Sequence, residues 1–205
     1  MKKNLLLAIS ASLLLSACGG VSGLPNGSQS SSSSNSTASI IGNILSSVIG
    51  TDKVTKDALV KEWKYNGPGC AFTSENLLAK AGGEIAASKV EEKLTDQYNK
   101  LGFTSSNTSI TFKNDGTFSA VIKGKSWNGS YTYNESNAQI QMEGLLLNLN
   151  GYVKRETDGI AILFESKKLL TLIKSMSALS GSSQTAAIGD IASNYDGIRM
   201  GFKMK

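Results

Sequence analysis

From Thr108 onward the apolar residues of this chain recur at every second position. Ile110 and Phe112 alternate with polar neighbours, as do Phe118, Ala120 and Ile122, and then the aromatic and small positions from Trp127 to Tyr133. Ile140 and Met142 mark a further strand, and Leu147, Leu149 and Val153 the next. Successive side chains of a strand point to opposite faces, so this rhythm predicts a sheet with one apolar face. Asn114-Asp115-Gly116, residues 134–137 and Asp158-Gly159 supply hairpin turns between the segments. The last segment is the clearest. Ile198, Met200, Phe202 and Met204 point one way, while Arg199, Lys203 and Lys205 point the other. A terminal strand with a wholly apolar face needs a core and a neighbour. Its natural neighbour is the first strand, Lys61-Glu62-Trp63-Lys64-Tyr65, and that pairing would roll the sheet into a closed barrel without edges. The expected fold is mainly β with helical additions (α+β): an eight-stranded antiparallel barrel.

Helical spacing appears where the alternation stops. Residues 55–60 read as one helical turn, and Asn66-Gly67-Pro68-Gly69 reads as a turn that ends the first strand. Residues 74–101 read as a long helix capped by Ser74, with Leu78, Ala81, Ile85, Val90, Leu94, Tyr98 and Leu101 on one stripe that stops before Gly102. Gly82-Gly83 interrupts it at about 1 kcal/mol per glycine, so the helix either breaks there or packs closely against something. Ser166 can cap a helix over residues 167–179, with a second short helix at 186–192, both inserted before the final strand.

The first 50 residues follow another logic. Lys2 and Lys3 precede an apolar stretch from Leu5 to Leu15 that is too short to span a bilayer, and Leu15-Ser16-Ala17-Cys18 follows it. This run resembles the lipobox of bacterial lipoproteins, which implies cleavage before Cys18 and diacylglycerol and acyl (palmitate-type) chains on it. Several chains at about 0.8 kcal/mol per buried methylene give an effectively permanent anchor. Residues 1–17 are thus read as a signal peptide, residues 18–39 as the lipidated cysteine with a Ser-rich tether, and residues 40–205 as the domain. The tether should reach on the order of 25 Å. Ile40, Ile41, Ile44, Leu45, Val48 and Ile49 form a short amphipathic helix whose polar face lacks Lys and Arg, so packing on the domain is favoured over lying on anionic lipid. Gly19-Gly20 offers no Asp to retain the protein at the inner membrane, so resemblance to lipoproteins in general implies the outer membrane.

Composition narrows the chemistry. Without Lys2 and Lys3 the chain keeps 19 basic against 16 acidic residues, a balance of +3, too small and too scattered for nucleic acid. There is no histidine. Ser-His-Asp and Cys-His triads and histidine-bearing zinc sites are therefore excluded. The acidic residues show no metal or acid-base spacing; no metal, cofactor or catalytic residue is assigned, and the sequence points away from an enzyme. With Cys18 lipidated, Cys70 is the one thiol left, so no intramolecular disulfide forms and the roughly 165 residues beyond the tether must rely on a packed core. A lone cysteine is most often a small buried hydrophobe.

Several motifs resemble the lipocalin-like domains of uncharacterised lipoproteins from gut-dwelling Bacteroidales bacteria. They are the Ser-rich tether after Cys18, Trp63-Lys64-Tyr65 with Gly67-Pro68, the segment from Ser74 to Gly83, and Trp127-Asn128-Gly129-Ser130-Tyr131. The resemblance covers nearly the whole mature chain; it implies a barrel and brings no activity with it.

Two functions remain open from the residues. An eight-stranded barrel can be filled by side chains or can hold one small ligand. Bulky inward candidates such as Phe112, Phe118, Met142, Phe164 and Phe202 favour a filled centre. Trp63, Tyr65, Tyr131 and Tyr133 are the ligand-binding candidates, because buried hydroxyls need partners and would suit a mostly apolar molecule with one polar group. The chain is either a lipid-anchored carrier of a small apolar ligand or a filled accessory module that contacts a protein partner in an outer-membrane complex.

Overall fold

A computed structural model describes residues 53–145, 147–176 and 183–205. The signal segment, Cys18, the tether, the helix expected at 40–50 and the end of the helix expected at 167–179 lie outside the described residues.

The elements run α1 (Lys56–Leu59), β1 (Glu62–Phe72), α2 (Glu75–Lys80), α3 (Gly83–Leu101), β2 (Ser109–Phe112), β3 (Thr117–Ile122), β4 (Lys125–Asn134), β5 (Gln139–Gly144), β6 (Asn148–Glu156), β7 (Gly159–Glu165), α4 (Ser166–Met176), α5 (Ser183–Ser193) and β8 (Ile198–Met204). The eight strands close into an antiparallel barrel in sequence order, with β8 returning to β1. The period-two pattern is realised directly: β3 and β5 bury every second residue. Ile160, Ile162 and Phe164 stand opposite Met204, Phe202 and Met200, so one inward row runs across β7 and β8. Each buried side chain of this size contributes roughly 1.5–3 kcal/mol.

Two expectations need correction. The Asn66-Gly67-Pro68-Gly69 stretch is not a turn: β1 runs through it, with a register shift between Tyr65 and Gly67. β1 pairs with β2 only over Glu62, Trp63 and Lys64, and beyond Tyr65 it is an edge on that side, where a strand tolerates proline. The helix expected over residues 74–101 is two helices, divided at Gly82, whose φ of +106° is left-handed. Because the second helix restarts its phase, Ile85 turns outward and is 70% exposed, whereas Ala87, Val90, Leu94, Tyr98 and Leu101 make the buried stripe.

The end of β7, the start of β8 and the end of β1 lie together, so α2, α4 and α5 adjoin that end of the barrel, while α3 runs back along β1 with its Glu91 on Lys203. Tyr98 of α3 meets inward-pointing Tyr65 and Phe202 with ring centroids 6.5 and 5.7 Å away, and α4 buries Leu169, Leu172, Ile173 and Met176. Leu172 of α4 lines the same small interior space as Phe164 and Phe202, so α4 closes that end. At the opposite end the chain arrives through α1, whose N-cap Thr55 accepts a hydrogen bond from the Ala58 N–H. There the Tyr133 hydroxyl donates to the Val54 carbonyl at 2.7 Å.

Candidate functional site

The four candidate residues do not converge on one chamber. Trp63 is buried and its indole N–H donates to the Leu59 carbonyl at 2.9 Å, holding α1 to the barrel. Tyr131 is buried and donates its hydroxyl to the Lys113 carbonyl at 2.9 Å, across the β2–β3 turn. Tyr133 is half-buried and holds Val54. Burial pushes all three tyrosine hydroxyls at 65, 131 and 133 up, that of Tyr133 to about 12, so all stay protonated at neutral pH. Three of the four polar groups thus already have backbone partners.

The interior is nearly full. A cavity of about 30 Å³ lies among Ile110, Ala120, Trp127, Met142, Ile162, Phe164, Leu172 and Phe202. That is room for a water or two. It lies below the several hundred Å³ that a drug-sized ligand occupies. None of Trp63, Tyr65, Tyr131 and Tyr133 lines it. The Trp127 indole N–H and the Tyr98 hydroxyl are buried without a hydrogen-bond partner among the described residues. Gly144 lies so close to that indole that a Cβ there would fall 2.1 Å from Nε1.

Cys70 points inward beside Met200 and is 4% exposed. Burial, helped by the Glu91 carboxylate, pushes its thiol up to about 12. It is a core residue, the small buried hydrophobe expected of a lone cysteine.

The outer wall of β1, β6, β7 and β8 is organised differently. Ala71, Ala161 and Leu163 form a separate buried patch on it. Over this wall Lys154, 4% exposed, donates to Glu156 at 2.7 Å, and the Arg199 guanidinium lies 3.6 Å above the Tyr152 ring. Lys203 is gripped by both oxygens of Glu91 from α3, at 2.7 and 2.8 Å. Burial lowers the Lys203 ammonium's affinity for its proton, but the Glu91 charge and hydrogen bond outweigh that and hold it above the ordinary value. Glu91 therefore has a structural partner that no sequence spacing announced.

A surface groove of about 600 Å³ opens beside the β1 register shift, lined by Lys64, Tyr65, Asn66, Gly67, Pro68, Thr95, Asn99, Thr104, Ser105 and Lys205. Tyr65 is the one sequence candidate it contains. Its other residues come from four separated segments, and nothing in their local pattern marks them. Among the described residues no three Cys, Asp or Glu side chains gather to hold a metal ion, and no helix is long and apolar enough to cross a membrane.

A family model described as a lipocalin-like domain (DUF4923) matches residues 34–205. A solved structure of a DUF4847 family protein from Bacteroides vulgatus is similar over 54% of this chain and 89% of its own, at 12% identity and a TM-score of 0.33, too distant to carry a conclusion. No curated protein matches the chain.

Proposed function

Because the chain belongs to the lipocalin-like domain family (DUF4923), with the barrel closed and its centre occupied by its own side chains, we propose that it is a non-enzymatic envelope lipoprotein that recognises its target from the outside of the barrel. The observation that carries this reading is the 30 Å³ interior cavity. A carrier of an apolar molecule needs a chamber roughly ten times larger. The satisfied polar groups of Trp63, Tyr131 and Tyr133 agree, since they bind backbone and not a guest. In this reading Cys18 carries the lipid, the Ser-rich stretch tethers the domain, and the outer membrane of a Gram-negative cell, as in Bacteroidales lipoproteins, is the surface it serves. The barrel is an accessory or interaction module of an envelope complex.

Incubating the full chain, purified in detergent, with a total lipid extract and weighing it by native mass spectrometry tests the central point. The expected spectrum shows the acylated protein alone, and one tightly retained apolar molecule per chain contradicts the proposal. Mass spectrometry of the N-terminal peptide tests the anchor separately: a chain beginning at Cys18 and carrying diacylglycerol and acyl chains is expected, and an unmodified Cys18 would rule the lipid attachment out.

A further inference from the structure

The groove at the β1 register shift has the makings of a binding site, and the way the strand is built explains why it is there. The ladder from β1 to β2 ends where the Tyr65 N–H donates to the Thr108 carbonyl at 3.0 Å. One residue later the pairing with β8 slips, and Gly67 adopts a φ of +135° with open space where a Cβ would stand. Register irregularities of this kind re-aim side chains and recur beside functional sites. Thr95 and Asn99, four residues apart on α3, form one wall on a single helix face. Thr104 and Ser105 form the facing wall, in a loop that Asn107 fixes by accepting from the Thr104 N–H and donating to the Gly102 carbonyl, both at 2.9 Å. The walls are therefore set before any ligand arrives.

The lining selects a chemistry. It contains two lysines and no Asp or Glu. Lys80, Lys154 and Lys203 each have a carboxylate partner, whereas Lys64 and Lys205 have none among the described residues. The side chains of Asn66, Asn99 and Ser105 likewise make no hydrogen bond among the described residues, so amide and hydroxyl groups that both donate and accept line the same groove as the two lysines. We propose that this groove binds a small hydroxyl-rich anion, a sugar acid or sugar phosphate, with Lys64 and Lys205 on the charge and Asn66, Asn99 and Ser105 on the hydroxyls. The inference rests on the reading that recognition is external, and it adds the place and the ligand class.

Titration calorimetry of the full chain in detergent with glucuronate, glucose 6-phosphate, glucose and inorganic phosphate tests it. One of the two charged sugars is expected to bind in a single saturable step, at least tenfold more tightly than glucose and than inorganic phosphate, and which one binds identifies the anion. Lys64→Gln with Lys205→Gln should weaken that binding at least tenfold with the melting temperature unchanged, because both side chains are exposed. Added salt should weaken it too. No binding of either charged sugar, equal binding of glucose, equally tight binding of inorganic phosphate, or affinity untouched by the double variant each overturns the proposal. A lipid found inside the barrel would fail the reading beneath it, whereas an empty barrel with no sugar binding fails this inference alone.

Discussion

The inner and outer faces of β1, β7 and β8 solve burial in opposite ways. Inward, Phe202 sits among the rings of Tyr65, Tyr98 and Phe103 at 5.3 to 6.2 Å, and the cysteine on that face is neutral. Outward, the same strands bury a small apolar patch, and charged side chains lie over it in pairs: Lys154 with Glu156 from β6, and Lys203 with Glu91 from α3. The interior holds no charged side chain among the described residues, while the outer wall keeps each buried charge paired with an opposite one. A ligand is thus more easily met on the outer surface than in the centre.

Cys70 gives the largest expected contrast between the faces. Its thiol, pushed from 9.0 to about 12, should react with an alkylating reagent near pH 8 about a thousandfold more slowly in the folded protein than in denaturant. Because the folded thiol holds its proton more tightly than the unfolded one, its contribution to stability is complete below about pH 9 and is lost as the pH rises toward 12, which denaturant melts across that range will register. Phe202→Ala follows, with an expected loss of about 4 kcal/mol in urea unfolding as three rings, Tyr65, Tyr98 and Phe103, lose their common contact. On the outer face Lys154→Ala should cost about 2–3 kcal/mol by leaving Glu156, itself 18% exposed, without its partner. Lys154→Met combined with Glu156→Gln should recover most of that, and a double variant as unstable as the single one would show that the wall depends on charge and not on packing. Ser74→Ala removes the side-chain cap of α2, which accepts from the Leu77 N–H at 3.3 Å, for a loss of about 1 kcal/mol. Smallest is Lys80→Ala: its pair with Asp196 is 71% and 78% exposed and should change the melting curve by about 0.3 kcal/mol or less.

The barrel was legible in the sequence because strand alternation is local. Ile198, Met200, Phe202 and Met204 announce their strand and its face without any knowledge of the neighbour, and the structure pairs that strand with β1 as expected. What escaped depends on distant partners. Gly67-Pro68-Gly69 reads as a turn until the missing β2 neighbour is known, which turns proline from a strand breaker into an edge residue. Ile85 fits a single helical stripe, but the break at Gly82 resets the phase, and five residues from Val90 it falls on the far side. Lys154 looked like any outward residue of an alternating strand; its burial comes from neighbours on other strands. The groove escaped for the same reason, since Lys64, Asn99, Ser105 and Lys205 become neighbours only when the barrel closes.

The central claim is that the barrel centre is occupied by the protein itself, and Trp127 is placed to report on it. It lines the 30 Å³ cavity, its indole N–H has no hydrogen-bond partner among the described residues, and Trp63 is the only other tryptophan, so two indole signals cover both. Two-dimensional NMR of the nitrogen-15-labelled full chain, titrated with fatty acids of increasing length, measures whether anything enters. The account predicts that the Trp127 indole signal stays where it is throughout; a saturable shift at one equivalent of any fatty acid would contradict it.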